Sequence, residues 1–217
     1  SDLLALDELP WVEVVFSGAL ARASGVDALV AAGVRGIVVA GTGNDSISSG
    51  DDADTVTLTG GVNTLDAGAG ADTITLGTGT DSVLSGAGAD LIQANANLTV
   101  ADTITGGSEA DKLTISNDTA VTDLDNVTQV ETIELLDGNS FAYTISNSSA
   151  FDNDTTGVTI DGDALTGANT LNFSATNLTR AITILSGAGD DTIVDGTGND
   201  SIVTNGGADL VTLSGNG

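Results

Sequence analysis

The sequence predicts an all-β chain wound as a right-handed parallel β-solenoid, and three observations carry that prediction. An Asp or Asn recurs every nine positions, at 45, 54, 63, 72, 81 and 90, then at 102 and 111 after a three-residue insertion, and again at 191, 200 and 209. Ten of these eleven anchors are Asp and the eleventh is Asn63, far too regular a series for chance. Two residues after every anchor stands an aliphatic side chain, from Ile47 and Val56 through Ile104 and Leu113 to Ile202 and Val211. Glycine holds the position two before the anchor in eight of the eleven units, and the position four before it in eight as well. A fixed short period of this kind marks a repeat architecture in which each unit buries its apolar face only against its neighbours.

The consensus is therefore G-x-G-x-D-x-U-x-x, with U aliphatic, and each part has a mechanical reading. Alternate glycines permit the positive φ angles of a tight turn and leave carbonyl oxygens bare. The x-U-x segment reads as a short strand with one aliphatic side chain pointing inward. Two units make one flattened coil, and stacked coils give two parallel sheets with a thin core between them. A turn that offers an Asp carboxylate beside exposed carbonyls is half a calcium site, because Ca²⁺ takes six to eight oxygen ligands from such groups. The candidate ligands are Asp45, Asp54, Asn63, Asp72, Asp81, Asp90, Asp111, Asp191, Asp200 and Asp209. Asn63 keeps an oxygen but no charge, so a site there is expected to be weaker. The unit ending at Asp102 has Leu98 and Val100 where the glycines belong and is not expected to bind, and Asp111 has Glu109 in the second glycine position.

Composition narrows the chemistry. The chain has 217 residues with no His, Cys or Met, which removes the usual zinc sites, the Ser-His and Cys-His nucleophile pairs, and disulfides. Carboxylates alone would have to perform any catalysis, and aspartates at repeat spacing read as ligands, so no enzyme is expected. The net charge is −27, with four basic residues against 31 acidic ones. Self-repulsion of that size opposes compaction unless cations bind. Apolar residues still make up 40% of the chain, so it reads as foldable rather than disordered. Nucleic acid and anionic membrane surfaces both require a basic patch that is missing here. No apolar stretch is long enough to span a bilayer.

At the motifs G41-T42-G43-N44-D45-S46-I47, G68-A69-G70-A71-D72-T73-I74, G86-A87-G88-A89-D90-L91-I92 and G196-T197-G198-N199-D200-S201-I202 the chain resembles the RTX family, the hemolysin-type calcium-binding repeats of bacterial exported proteins. The resemblance covers 41 to about 115 and 186–217. It implies an RTX β-roll with calcium held between turns one coil apart, pairing Asp54 with Asp72, Asp72 with Asp90, and Asp191 with Asp209. Asp45, Asn63 and Asp81 would form the column on the opposite edge, with Asp200 beginning another.

The remaining segments set the domain plan: a cap at 1–40, an RTX roll at 41–115, calcium-free solenoid coils at 116–185, and a second roll at 186–217. Residues 116–185 lose the nine-residue beat but keep strand-like runs at 130–135, 142–145, 157–162, 169–174 and 181–185. They read as wider β-helix coils, with Phe141, Tyr143, Phe151 and Phe173 filling a thicker core. This mixture is similar to bacterial S-layer and adhesin proteins. In the cap, 9–16 reads as a strand, 24–33 as a short helix and 35–41 as a strand, a β-α-β run resembling a segment of bacterial L-asparaginase C-terminal domains over 9–44. That family's nucleophilic threonines lie in a domain not represented, so no activity carries over. The chain stops in mid-repeat, which predicts continuation in a longer protein or stacking on another copy.

The functional expectation is an extracellular or cell-surface structural module that folds on Ca²⁺, with copies of itself end to end or a cell-surface polysaccharide as partners. The alternative is a C-terminal export and folding domain of a secreted enzyme or toxin. Ice binding through Thr42 with Asn44 and Thr197 with Asn199 is a minor alternative, since two turns make too small an array.

Overall fold

A computed structural model describes residues 14–17, 27–30, 37–40, 43–116, 123–146, 151 and 157–214. Within them the chain is a parallel β-solenoid. Every strand pairs in parallel with the strand two further along the chain, so consecutive strands fall on alternate walls. One wall is a continuous ten-stranded sheet that begins with Val14–Ser17 and Ile37–Ala40 and ends with Ile182–Leu185 and Ser201–Val203. The other wall is divided. Six strands from Asp27–Val30 to Val127–Thr128 form its first part, and four strands, Phe141–Thr144, Leu171–Ser174, Thr192–Val194 and Leu210–Thr212, form its second.

The register follows the repeat. Thr55 pairs with Thr73 and Thr73 with Leu91, so one coil consumes 18 residues. The insertion before Asp102 is absorbed in the turns, where Ile104 pairs with Val83 and Leu113 with Ile92. In the middle of the chain the coils widen: Thr132 pairs with Thr159, and Phe141 with Leu171. All five strand-like runs expected over 116–185 contain a strand: Thr132–Leu135, Phe141–Thr144, Val158–Asp161, Leu171–Ser174 and Ile182–Leu185.

The aliphatic residue after the anchor forms the core from Ile47 to Ile193, while Ile202 is partly buried and Val211 is 38% exposed. Val56, Ile74, Ile92 and Leu113 have no exposed surface, and Ile47, Leu65, Val83 and Ile104 are buried with them. The strands bury a second side chain as well, which the expectation of one inward residue per strand missed. On the continuous wall these second residues include Leu58, Leu76 and Ile115, whereas the other wall places the small Ser49, Ala67 and Ser85 there, all buried. Large residues on one wall and small ones on the other let a thin coil close without voids. In the wide coils Phe141, Tyr143, Phe151 and Phe173 are buried as expected, and the Phe141 and Tyr143 rings lie 6.0 Å apart between centroids.

One expectation needs correction. The helix expected over 24–33 is contradicted by Asp27–Val30, which is a strand paired in register with Asp45–Ser48. Asp27 aligns with Asp45 and Leu29 with Ile47, and Gly25 stands two before Asp27 as Gly43 does before Asp45, so the repeat pattern reaches one coil further back than the first predicted anchor. Tertiary pairing overrides the helical preference of the surrounding alanines and leucine. Strand pairing is present in parts of the other two predicted cap strands, at Val14–Ser17 and Ile37–Ala40. The remaining residues of the cap lie outside the described ones.

The thin core makes a single deletion costly. Ile74→Ala, at a side chain with no exposed surface, is expected to lower calcium-saturated stability by roughly 2–4 kcal/mol in a urea titration. A midpoint equal to that of the parent chain would show that the walls collapse around the missing atoms.

Candidate metal centre

The candidate sites lie on the solenoid edges, where the turns before successive strands stack. Gly68 and Gly86 occupy equivalent places in turns one coil apart, with φ of 99° and 109°. A Cβ on Gly86 would lie 1.9 Å from the Gly68 carbonyl oxygen, so this stacking distance admits glycine alone. Backbone hydrogen bonds tie these turns together, from the Ala69 N–H to the Gly50 carbonyl at 2.9 Å and from the Ala87 N–H to the Gly68 carbonyl at 2.8 Å.

The anchors stand in the same stack. On the edge that feeds the continuous wall, the Asp54 N–H donates to Asp72 Oδ1 at 2.7 Å, Asp72 N–H to Asp90 Oδ1 at 2.8 Å, and Asp90 N–H to Asp111 Oδ1 at 2.9 Å. Each carboxylate thus caps the anchor one coil earlier, and all four residues are at most 2% exposed. The second oxygens of Asp72, Asp90 and Asp111 are buried without a hydrogen-bond partner. Burial pushes the Asp72 carboxyl up to about 6; the Asp54 N–H opposes that rise and the neighbouring Asp90 adds to it. Burial pushes Asp111 up to about 7, with the Asp90 N–H opposing and Asp90, Glu131 and Glu109 adding repulsion.

On the opposite edge the Asp45 N–H donates to Asn63 Oδ1 at 3.1 Å, and Asn63 Nδ2 donates to Asp81 Oδ1 at 2.8 Å and to the Gly60 carbonyl at 3.2 Å. The Asn63 amide is therefore spent on neighbours, consistent with a weaker role at that step. Asp81 N–H continues the column to Asp102 Oδ1 at 2.6 Å. In the second part of that wall Asp191 caps Leu171 at 2.7 Å and is itself linked to Asp209 at 3.0 Å, while on the continuous wall Asp200 caps Ile182 at 2.9 Å. Asp191 and Asp200 each hold a buried second oxygen without a partner.

Asp137, in a wide coil, shows the contrasting case of a carboxylate that needs no ion. It accepts from the Thr166 N–H at 3.1 Å, Thr166 Oγ1 at 2.5 Å and Asn169 Nδ2 at 2.7 Å. These donors hold its carboxyl well below the usual carboxylate range. Asp72 and Asp111 have one donor each where Asp137 has three, and a hard cation is the natural substitute for the missing ones.

Calcium fits this donor set. The buried second oxygens of Asp72, Asp90, Asp111, Asp191 and Asp200 lack hydrogen-bond partners, and carboxylate oxygens are ligands of the kind Ca²⁺ prefers. Among the described residues no three acidic side chains converge on one point, so turn carbonyls would complete any coordination shell. The Lys112–Glu134 ion pair, at 3.3 Å and partly exposed, is too far toward solvent to neutralise the buried columns.

The register brings together Asp54, Asp72, Asp90 and Asp111, then Asp45, Asn63 and Asp81, and then Asp191 with Asp209. Asp200 stands alone on its edge, because Ile182 holds the anchor place one coil earlier. Sequence reasoning passed over Glu131, which occupies an anchor place with the aliphatic Ile133 two positions on, a signal that survives where the glycines are lost. Asp102, counted as an anchor but not expected to bind, accepts from the Asp81 and Thr99 N–H groups and from Thr99 Oγ1.

The family model of the RTX calcium-binding nonapeptide repeat, in its four-copy form, matches residues 36–64, 57–92 and 185–216. These stretches coincide with the glycine-lined turns and make up less than half of the chain. No curated protein and no solved structure matches it.

The raised carboxyls fix the sign of a pH effect. The metal-free fold keeps protons on Asp72 and Asp111 that the unfolded chain has already released above the ordinary carboxylate range. Their contribution is therefore fully present at about pH 3.8, and it is lost as pH rises through about 6 and about 7. With chelator present, the urea midpoint is expected to fall between about pH 5 and pH 8, and saturating calcium is expected to reverse the trend. A metal-free midpoint that holds or rises over that range would contradict the assignment of these carboxylates as strained.

Proposed function

Because residues 36–92 and 185–216 are RTX calcium-binding nonapeptide repeats, we propose that this chain is an extracellular structural module, of the surface-layer, adhesin or filament kind, that folds on Ca²⁺ and assembles with copies of itself. One observation carries the reading: a column of buried aspartates in which the second oxygens of Asp72, Asp90 and Asp111 lack hydrogen-bond partners. In a calcium-poor compartment the chain, at net charge −27, stays expanded. In millimolar extracellular calcium the ions neutralise the columns, and binding to the folded form alone pulls the chain into the roll.

The structural role rests on what the surface offers. The apolar side chains of the repeats are consumed in the core, and the titratable groups sit in columns. No helix among the described residues is long and apolar enough to cross a membrane. Leu210 and Leu213, in and just after the last described strand, are 61% and 72% exposed.

Sedimentation velocity with and without calcium tests the proposal. An expanded monomer in chelator that becomes a compact species and then larger assemblies in millimolar calcium is the expected result. A compact species that stays monomeric at high concentration would favour an export and folding domain of a larger secreted protein. No calcium-dependent change in frictional ratio would remove both readings.

A further inference from the structure

The unsatisfied carboxylates fall in two separate stretches, and the coils between them are built differently. Buried carboxylate oxygens without a partner occur at Asp72, Asp90 and Asp111 on one side and at Asp191 and Asp200 on the other. Among the described residues from 112 to 190 no acidic side chain is buried. Burial there falls on apolar groups instead: Phe141, Tyr143, Phe151 and Phe173 are at most 2% exposed, and Ile133 and Ile160 belong to the same core. Aromatic side chains remove more apolar surface from water per coil than the short aliphatic ones of the roll.

The turns of these coils are closed without ions. The Ser146 N–H donates to Asp125 Oδ1 at 2.8 Å, the Thr170 N–H to Ser140 Oγ at 3.0 Å, and Asn177 Nδ2 to the Ile145 carbonyl at 3.0 Å. Together with the three donors that Asp137 takes from Thr166 and Asn169, these bonds join neighbouring coils across 21 to 32 residues of chain. The divided wall breaks at the same place, its first part ending with Val127–Thr128 and its second starting with Phe141–Thr144. The two repeat stretches therefore share only the continuous sheet. Within it Thr132–Leu135, Val158–Asp161 and Ile182–Leu185 separate the strands of one stretch from those of the other.

We propose that the described coils between Asp123 and Leu185 form a folding unit that stands without calcium, and that the repeats at 45–111 and 191–212 are two separate calcium-dependent switches, one on each side of it. The proposal rests on the calcium reading of the columns and adds which part of the chain stays folded when the ion is removed. Local opening is easiest where buried apolar contacts are few, and a buried carboxylate without a partner favours it further. The unit offers each repeat stretch a finished strand to pair with, Thr132–Leu135 for Lys112–Ile115 and Ile182–Leu185 for Ser201–Val203. A coil that adds to a formed neighbour orders more readily than one that starts alone.

Hydrogen exchange read by mass spectrometry on the full chain, in chelator and in millimolar calcium at neutral pH, tests this. In chelator, peptides from 127–135 and 158–185 are expected to keep roughly hundredfold protection over the unfolded chain, while those from 45–111 and 191–212 exchange at close to the unfolded rate. Calcium is expected to protect all of them. Asp72→Ala/Asp90→Ala is expected to lose the calcium-induced protection over 45–111 and to leave 158–185 and 191–212 as in the parent. Phe173→Ala is expected to lower the protection of 158–185 in chelator by at least about tenfold, which ties that protection to packing and not to residual metal. Loss of protection over 127–135 and 158–185 in chelator, regained with the repeats on adding calcium, would overturn the proposal and leave the calcium reading intact. Loss over 191–212 in Asp72→Ala/Asp90→Ala would overturn the separation of the two switches. Protection that calcium changes in no peptide would instead remove the calcium reading as a whole.

Discussion

One constraint governs the molecule: an aspartate recurs once per coil at the same edge, so like charges are stacked at the strand spacing in a place from which water is largely excluded. At about 4.8 Å and an effective dielectric near 20, neighbouring carboxylates repel by roughly 3 kcal/mol. The hydrogen bond from each anchor N–H to the next carboxylate satisfies one oxygen per residue and ties coil to coil, but it cannot remove the charge. The glycines follow from the same stacking, since only a turn without Cβ lets the carbonyl of the neighbouring turn approach as closely as Gly68 approaches Gly86. The thin aliphatic core closes the coil, and the edges decide whether it stays closed.

Two solutions to the edge problem coexist in the chain. In the repeats the carboxylates are buried and under-supplied with donors, which leaves the columns dependent on protons or metal ions. In the wide coils the edge is closed by side-chain hydrogen bonds, as Asp137 is by Thr166 and Asn169, and the interior is thickened by Phe141, Tyr143, Phe151 and Phe173. The wide coils so keep their form by packing and neutral donors. Joining the two kinds along one continuous sheet lets a permanently packed middle template an ion-dependent roll on either side.

The fold was legible because the period and the aliphatic beat are properties of backbone geometry, and Ile47, Val56, Leu65 and Ile74 fall in the core as their spacing requires. The columns were legible wherever glycine and Asp occur together. They were illegible at Glu131, where Gln129 keeps the positive φ of the turn without a glycine because stacking against the adjacent coil imposes it. Asp27–Val30 was misread as helix, since Ala and Leu favour helix locally and only the step to Asp45 reveals the pairing. The second inward residue was missed for a similar reason: Ser49 and Ser85 look solvent-facing in sequence, yet their hydroxyls donate to the carbonyls of Ala67 and Gly106 and are buried by that bond.

The most direct test of the central claim, that buried aspartate columns make this fold conditional on calcium, is far-UV circular dichroism of chelator-treated chain at neutral pH during a calcium titration, with magnesium as the control. The account predicts a cooperative gain of β signal in calcium that magnesium does not reproduce, because Mg²⁺ demands a tighter octahedral shell and sheds its water reluctantly. A spectrum that is already fully β in chelator at neutral pH and unchanged by several millimolar calcium would contradict it.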